Sequence, residues 1–351
     1  MSSAGGGPSV TAVFPTLRVG RQWVNLLWML PVVALLLAAV IGASIWLRTL
    51  PEVQGFIRDY SGSVANDAPA GYPWWLRWQH ALNAIFLVPI VRAGLQIWAN
   101  RPRVYWRTPG TPGQDWLRMQ RAMPAEGGWP MRDDAVALHP QIGLPGPKRS
   151  QGLARAWHLG ITLLWVANGV LFYILIFATG QWMRIVPVSW DVFPHALSAA
   201  IQYGSLDFPT QNSWVAYNGL QLLTYFITVF VAAPLAVITG IMHAPRIAKR
   251  TANSRFLNVE VVRSVHVLVL GWFVVFTIAH IALVLVTGAF KNLNHITIGT
   301  EDGGPAGFIL FAIATVIGAV VWAFLSAFTS RYPNAVQKGA ARLLGPLNRF
   351  Y

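Results

Sequence analysis

The stretch VHVLVLGWFVVFTIAHIALVLVTG, residues 265–288, decides the fold of this chain. It is almost wholly apolar and exceeds the roughly 20 residues that a helix needs to cross a bilayer. Its two histidines, His266 and His280, are fourteen residues apart, which is about 21 Å along a helix and close to four full turns. Both imidazoles therefore leave the same helix face near opposite membrane boundaries. Because metal-binding side chains inside a membrane helix are costly and usually functional, this spacing predicts two stacked metal centres, and haem fits best.

The composition indicates a membrane protein and excludes several kinds of metal site. Of the 351 residues, 55% are hydrophobic and 11% are charged, whereas a soluble domain has about 25% charged residues. The 17 tryptophans suit the aromatic belts of membrane interfaces. The sequence contains no cysteine, which excludes disulfides, thiolate zinc sites, iron–sulfur clusters and covalently attached haem. Any iron must therefore be bound by histidine or methionine.

Six segments are long and apolar enough to span a membrane. They cover residues 24–47, 80–99, 157–179, 216–242, 264–287 and 306–329. The first is interpreted as a retained helix, since Trp46, Leu47 and Arg48 stand where small residues would precede a signal-peptide cleavage site. The pattern predicts an all-α integral membrane bundle of about six transmembrane helices. Residues 1–23 form an N-terminal tail and residues 330–351 a basic C-terminal tail.

The distribution of basic residues predicts the orientation. If the N-terminus is cytoplasmic, the cytoplasmic connections and tails contain 20 Lys and Arg, and the other side contains 5. The positive-inside rule then places both termini in the cytoplasm and the chain in the cell membrane. The net charge of +14 follows from this distribution and does not indicate nucleic-acid binding. The Pro-, Gly- and Arg-rich loop 100–156 is predicted to be an extended cytoplasmic connection, with a partner-docking surface as the alternative.

Four of the eight histidines form two levels on this topology. His80 begins the second span at the outer side, where His280 ends the fifth. His158 begins the third span at the inner side, where His266 begins the fifth. Bis-imidazole ligation at both levels would hold two b-type haems without a covalent link. The alternative for an interfacial histidine such as His80 or His158 is a hydrogen-bonded boundary residue.

The other four histidines receive weaker predictions. His243 ends the fourth span at the inner side, where a role at the interface or toward a haem propionate is favoured over ligation. His139, His195 and His295 lie in loops and are predicted to be surface residues. His195 and His295 face the outer haem level and could handle protons there.

Three motifs around the histidines carry a resemblance to a known family. They are the run from Ser264 to Gly288 followed by Asn292-Leu-Asn294 and Thr297-Ile-Gly299, Trp78-Gln-His80 followed by Arg92-Ala-Gly94-Leu95, and Trp157-His158. They resemble the prokaryotic cytochrome b561 type, the membrane subunits of formate dehydrogenases, hydrogenases and thiosulfate reductases. The similarity covers about residues 75–300. The spans 24–47 and 306–329 are additional to the family's four-helix core, and Ala93 stands where the family usually has serine.

The resemblance implies a four-helix dihaem core with the same pairing that the topology gives, His80 with His280 and His158 with His266. It implies two haem b groups, and a quinone site beside the His80–His280 pair and the 288–300 segment. It also implies a redox partner subunit of the molybdoenzyme, hydrogenase or iron–sulfur type, placed at the arginine-rich inner face. The chain is then an electron-transfer subunit of a larger membrane oxidoreductase complex.

Further residues in the spans are candidates for binding a cofactor. Arg92 lies about 18 Å along the helix from His80 and is predicted to bind a haem propionate, with snorkelling to the interface as the alternative. Glycines at Gly94, Gly169, Gly271 and Gly288 would let a porphyrin approach the backbone, with helix packing as the alternative. Three amides could bind a quinone carbonyl but are predicted mainly to join helices: Asn83, Asn168 and Asn218.

Two functions of different classes follow from these residues. The first is a dihaem cytochrome b that transfers electrons between membrane quinone and a partner. The second is a haem-free transporter or proton channel that uses its intramembrane histidines. Proton relays commonly use carboxylates within the membrane, and all 12 Asp and Glu lie outside the predicted spans. The first function is therefore preferred.

Overall fold

The computed structural model describes residues 14–64, 66–107, 114–119, 136, 138–139, 141–143, 151–208, 212–254 and 256–344. Within these residues, six helices are long and apolar enough to cross a membrane, which confirms the six predicted spans. They are Leu26–Leu47, Trp74–Asn100, Leu153–Ala178, Gly219–Met242, Val259–Val286 and Ala306–Arg331. The apolar side chains of the spans are largely exposed, as a surface in contact with lipid requires.

The described residues include twelve α-helices and four β-strands. In chain order they are β1 (Thr16–Val19), β2 (Gln22–Asn25), α1 (Met29–Leu47), α2 (Pro51–Asp59), α3 (Trp74–Asn100), β3 (Arg103–Tyr105), β4 (Asp115–Arg118), α4 (Gln151–Ala178), α5 (Val192–Gly204), α6 (Gly219–Phe226), α7 (Ala233–Met242), α8 (Pro245–Thr251), α9 (Val259–Val286), α10 (Ala289–Thr297), α11 (Ala306–Arg331) and α12 (Pro333–Leu344). A π-helical turn, Ile227–Ala232, joins α6 to α7 within the fourth span.

Three long helices extend beyond the predicted spans at their N-terminal ends. α3 begins six residues before His80, α4 begins seven before His158, and α9 begins seven before His266. An asparagine cap defines the start of α9, where Asn258 Oδ1 accepts hydrogen bonds from the first turn. The fourth span also begins at an asparagine, since Asn218 forms a capping box with Gln221 at the start of α6. The helices thus continue from the apolar region into the interface, where charged side chains are tolerated.

The core helices are α3, α4, α6–α7 and α9. α3 packs along α4, and α7 packs along α9. α1 and α11 are peripheral, with most of their surface exposed. At its C-terminal end α1 is fastened to the end of α5, because Arg48 forms an ion pair with Asp207 and donates to Ser205 Oγ at 3.0 Å.

The first two strands and the loop after α3 meet on one side of the bundle. β1 pairs with β2 and with β4, and β4 pairs with β3, which gives an antiparallel sheet of order β2-β1-β4-β3. The sequence analysis predicted no strand here. The sheet is anchored to α9, since Trp116 Nε1 donates to Ser264 Oγ at 2.9 Å and Ser264 Oγ donates to Tyr105 O at 2.6 Å. We call the side with β1–β4, α8 and α12 the terminal face.

The other side, which holds α2, α5 and α10, is called the opposite face. Gly288 at the start of α10 has φ +131°, a conformation that favours glycine, so this glycine forms the turn after α9. Asn294 is fully buried and bonds Asp302 Oδ1 at 2.7 Å, Gly304 O at 2.9 Å and Gly307 N at 2.7 Å. These bonds hold α10 against the start of α11.

Candidate metal centres

The structure brings the four predicted histidines together as two pairs. The imidazoles of His80 on α3 and His280 on α9 have ring centroids 6.2 Å apart. Those of His158 on α4 and His266 on α9 have centroids 6.3 Å apart. α3 begins at the opposite face, whereas α4 and α9 begin at the terminal face, so the two pairs lie at opposite levels. We call His80–His280 the opposite pair and His158–His266 the terminal pair.

Both separations fit two imidazoles bound to one metal. A metal–imidazole bond is about 2.0 Å and the bonded nitrogen lies about 1.2 Å from its ring centroid, so ligands on opposite sides of one metal place their centroids about 6.4 Å apart. No three His, Asp or Glu side chains gather around a common point in the described part of the chain. Each pair thus offers two candidate ligands, the number that a macrocycle leaves open at its iron.

Hydrogen bonds orient both rings of the terminal pair. His158 Nδ1 lies 3.1 Å from Ile90 O, an acceptor, so this nitrogen carries the proton. His266 Nδ1 lies 2.8 Å from Thr239 Oγ1, whose own proton goes to Leu235 O at 2.6 Å, so His266 Nδ1 donates as well. Fixing the proton at Nδ1 leaves Nε2 of each ring as the free ligand nitrogen. This arrangement is typical of metal-bound histidines.

Aromatic side chains surround the opposite pair. The ring of Phe276 stacks on His280 with centroids 5.6 Å apart and an interplanar angle of 10°. Tyr225 approaches the same imidazole edge-on at 6.0 Å. His80 is exposed although its ring faces His280, and the other three paired histidines are half-buried. Side chains therefore do not fill the space beside the paired rings.

Glycines adjoin both levels. A Cβ at Gly94 would lie 3.5 Å from His158 Cε1, and one at Gly240 would lie 3.9 Å from His266 Cε1, so the terminal pair rests close to backbone. Gly169 follows His158 by eleven residues, close to three full turns, and faces the same side of α4 near the opposite level. A Cβ at Gly169 would meet no atom within 4 Å. The open space beside the pairs and the two-ligand donor sets fit a flat macrocycle.

His243 lies beside the terminal pair without joining it. Its ring centroid is 5.7 Å from that of His266, and its Nδ1 donates to Thr239 O at 2.7 Å. Thr239 therefore accepts from His266 with its hydroxyl and from His243 with its carbonyl. The predicted interface or propionate role of His243 stays a prediction.

Arg92 makes contacts that the sequence analysis did not anticipate. This residue is 8% exposed, and its guanidinium donates to Gly143 O at 3.0 Å and to Ser326 Oγ on α11 at 2.8 Å. It also lies 4.3 Å from the ring centroid of Trp322 on α11. These contacts fasten the sixth span to α3 and do not support propionate binding, which stays a prediction, or snorkelling to water.

A cavity of about 420 Å³ opens at the opposite face. Its lining includes Tyr72, Trp75, Gln181, Trp214 and Gly299. Gln181 is 4% exposed, and its Oε1 has no hydrogen-bond partner among the described residues. Sequence reasoning gave no signal for Gln181, which follows the left-handed Gly180 at the end of α4.

Tyrosines connect this cavity to the opposite pair. The Tyr72 hydroxyl lies 3.0 Å from that of Tyr217. Tyr217 packs edge-on against Tyr225 at 5.0 Å, and Tyr225 contacts His280. Burial raises the pKa of Tyr217 well above its ordinary value, so its phenol keeps its proton. Tyr72 is distant in sequence from Tyr217 and Tyr225, so no local pattern predicted that these tyrosines would meet.

His295 was predicted to be a surface residue, and that prediction is wrong. The residue is 1% exposed, its ring stacks on Tyr72 at 5.7 Å, and its Nδ1 lies 3.1 Å from Ser213 Oγ. Burial lowers the pKa of His295, and the nearby Lys291 charge lowers it further, so the imidazole is neutral at pH 7. Packing of α10 under the 212–214 segment, which no local pattern reveals, removes it from solvent.

Other polar residues fall into structural roles. Asn168 Nδ2 donates to Asn83 Oδ1 at 3.3 Å between α4 and α3, which confirms their predicted use between helices. Glu260 had been placed outside the spans, yet it lies buried in the first turn of α9. It forms ion pairs with Arg101 at 3.7 Å and Arg263 at 3.9 Å. A paired carboxylate at the membrane boundary gives no support to a proton channel.

Comparison with known protein families gives a match over more than half of the chain. The family model described as prokaryotic cytochrome b561 matches residues 71–297, which include all four paired histidines and exclude α1 and α11. No curated protein and no solved structure matches the chain.

Proposed function

The chain belongs to the prokaryotic cytochrome b561 family, whose members transfer electrons through haem b, and on that premise we propose a dihaem cytochrome b subunit. It would carry electrons across the bilayer between the quinone pool and a partner oxidoreductase subunit. The observation that carries this proposal is the pairing of four histidines, one pair at each level, with ring separations of 6.2 and 6.3 Å.

In this proposal His80 and His280 hold one haem b, and His158 and His266 hold the other. Each bound haem would supply one-electron chemistry at its iron. The chain's own contribution is orientation: Ile90 O and Thr239 Oγ1 fix the proton of each terminal-pair ring at Nδ1. Gly94 and Gly169 keep the space beside the pairs free of side chains. Residues 75–300 form the dihaem core, to which 24–47 and 306–329 are additions.

Helix α9 determines the distance between the two proposed haem sites. It provides one ligand to each pair, and fourteen residues separate the ligands by about 21 Å along the axis. Two centres at this spacing connect the two faces of the membrane. The proposed role is therefore conduction between faces, with substrate chemistry left to the partner.

The cavity at the opposite face supports a quinone site there. A quinone headgroup is flat and has two carbonyl acceptors, and the cavity offers the rings of Trp75 and Trp214 beside polar groups. The Tyr72 hydroxyl, which donates to Ser213 O at 3.0 Å, belongs to a residue that lines this cavity, and the Tyr217 hydroxyl lies 3.0 Å from it. Their link through Tyr225 to His280 places this cavity next to the opposite pair, where the 288–300 segment was expected to contribute.

The terminal face supports a partner site. Ten described cations are exposed on this face: Arg18, Arg21, Arg107, Arg155, Arg246, Lys249, Arg250, Arg331, Lys338 and Arg342. The described carboxylates on this face, Asp115 and Glu260, are both buried. This excess of cations supports a cytoplasmic location of both termini and docking of a redox partner of the molybdoenzyme, hydrogenase or iron–sulfur type.

A spectrum of the purified protein tests the proposal. Haem extracted with acid acetone should give about two haems b per chain in the reduced pyridine assay, since the absence of cysteine excludes a covalent link. His266→Ala should remove the terminal-level haem and His280→Ala the other, each leaving its partner partly assembled. His139→Ala, an exposed loop variant, is the control and should retain both. A ratio near zero or one in the unaltered protein would refute the dihaem assignment.

A further inference from the structure

Three of the four paired histidines are preceded, three residues earlier, by an arginine. The motifs are Arg77-Trp-Gln-His80, Arg155-Ala-Trp-His158 and Arg263-Ser-Val-His266. Residues three apart lie on neighbouring positions of one helix face. Because α3 begins at the opposite face and α4 and α9 begin at the terminal face, each arginine lies one turn closer to water than its histidine.

Arg77 has no anionic partner in the described part of the chain. One of its guanidinium nitrogens donates to Thr297 O at 3.1 Å, and its buried Nε has no hydrogen-bond partner there. A Cβ at Gly299 would lie 2.7 Å from Arg77 Cζ, so the 297–299 segment covers the guanidinium closely. Arg77 is therefore a half-buried cation one helical turn from the opposite pair, and no described carboxylate pairs with it.

Arg155 has even fewer partners. The described residues give it no hydrogen bond and no ion pair, and the charge within range is that of Arg101, which repels it. Arg263, by contrast, donates to the carbonyls of Arg101 and Arg103 and pairs with Glu260, so it fastens the loop after α3. Glu260 is shared by two arginines, which leaves the cluster beside the terminal pair with excess positive charge.

Haem b has two propionate carboxylates on one edge, and guanidinium–carboxylate bonds are among the strongest hydrogen bonds in proteins. Building on the dihaem function proposed above, we propose that Arg77 binds the propionates of the opposite-pair haem and Arg155 those of the terminal-pair haem. Arg77 and Arg155 would then hold the two haems from opposite faces of the bundle. A half-buried cation at a membrane boundary that lacks a protein anion, as Arg77 does, is costly, and a propionate would remove that cost. Arg155 is exposed, so its assignment is argued from its place one helical turn from His158 and from its lack of a partner among the described residues.

Charge-removing variants test this assignment in the haem-loaded protein. Arg77→Gln and Arg155→Gln are compared with Arg77→Lys and Arg155→Lys, which retain the charge. Arg58→Gln on α2 and Arg250→Gln on α8 are controls for exposed cations on the same two faces. The readouts are the midpoint potential of each haem, from a spectroscopic redox titration, and the infrared reduced-minus-oxidised bands of haem labelled with ¹³C at its propionate carboxyls.

Removing a cation next to one haem favours its oxidised form. Each Gln variant should therefore shift the one-electron equilibrium of the near haem by about tenfold toward oxidation, about 59 mV, while the other haem and the Lys variants stay close to wild type. The labelled carboxylate bands should shift in the same variants. Loss of the near haem alone in Gln, with its retention in Lys, would also support the assignment.

Three results would overturn it. They are unchanged potentials, equal shifts of both haems or loss of both, and shifted potentials with unchanged labelled carboxylate bands. The last would show that the arginines act on the iron through space without touching a propionate. An unaltered protein that lacks two haems would instead refute the dihaem function itself, so the two failures are distinguishable.

Discussion

Thr239→Val should weaken binding of the terminal-pair haem and leave binding of the opposite-pair haem unchanged. The substitution keeps the shape of the side chain and removes the hydroxyl to which His266 Nδ1 donates at 2.8 Å. Thr239 is buried, so no solvent replaces the lost acceptor. Thr239→Ser keeps the hydroxyl and should behave as wild type.

The expected magnitude follows from the role of such bonds. Loss of a hydrogen-bond partner of a ligating histidine typically lowers metal affinity by about 10–100-fold, which corresponds to about 1.4–2.8 kcal/mol. A buried donor left without a partner costs about 1–3 kcal/mol, which agrees with that range. Because the lost bond made the imidazole a stronger ligand for ferric iron, the potential of the terminal-pair haem should also rise.

The assay is transfer of haem from the purified protein to an excess of a haem-scavenging apoprotein, followed by the spectrum of the haem that remains. Thr239→Val should lose the terminal-pair haem faster, and the opposite-pair haem should leave at the wild-type rate. Thr315→Val on the peripheral α11 is a matched control, since its hydroxyl also bonds the carbonyl four residues earlier but contacts no histidine. Equal loss in Thr239→Val and wild type, or faster loss of the opposite-pair haem, would refute the role given to Thr239.

Two further predictions concern groups outside the ligand pairs. Arg92→Gln should weaken the packing of α11 on α3, because the Arg92 guanidinium donates to Ser326 Oγ and to Gly143 O. We expect the free energy of unfolding, measured by thermal unfolding, to fall by about 1.5–3 kcal/mol while both haems are retained. Loss of haem at unchanged stability would contradict this. Tyr217→Phe removes the hydroxyl beside Tyr72 and should raise KM for a soluble quinol severalfold without altering the haem spectra. Tyr173→Phe is the control, because the Tyr173 hydroxyl donates to Val229 O. An unchanged KM in Tyr217→Phe would argue against a quinone in the opposite-face cavity.

The six spans and the two histidine levels could be predicted because both depend on local sequence. Apolar length identifies a span, and a spacing of fourteen residues places His266 and His280 on one face without knowledge of any other helix. The partners then follow from topology, because His80 and His158 lie near the starts of helices that run in opposite directions. The prediction needed no contact between distant segments.

The features that were missed all require contacts between distant segments. Strands of three or four residues are too short to show alternation of apolar and polar residues. In addition, β1 pairs with β4, which follows it only after the chain has crossed the membrane twice. The burial of His295 depends on packing against Tyr72 and Ser213, which are far away in sequence. Two partners of Arg92, Trp322 and Ser326, lie on a helix that begins more than 200 residues later, so a buried arginine in the second span could be noticed but its contacts could not be assigned.

The terminal-face sheet has a consequence for biogenesis. The β1–β2 hairpin is synthesised before the first of the six spans. Arg118 of β4, which pairs with Thr16 of β1, follows it by 102 residues. Ser264, which anchors Trp116, lies 148 residues after Trp116. The sheet can therefore form only once the first and second spans have been inserted in the correct direction, and it can be anchored only once the fifth has been. An inverted span would leave a strand or its anchor on the wrong side of the membrane. Formation and anchoring of this sheet therefore depend on correct insertion of these spans by the translocation machinery.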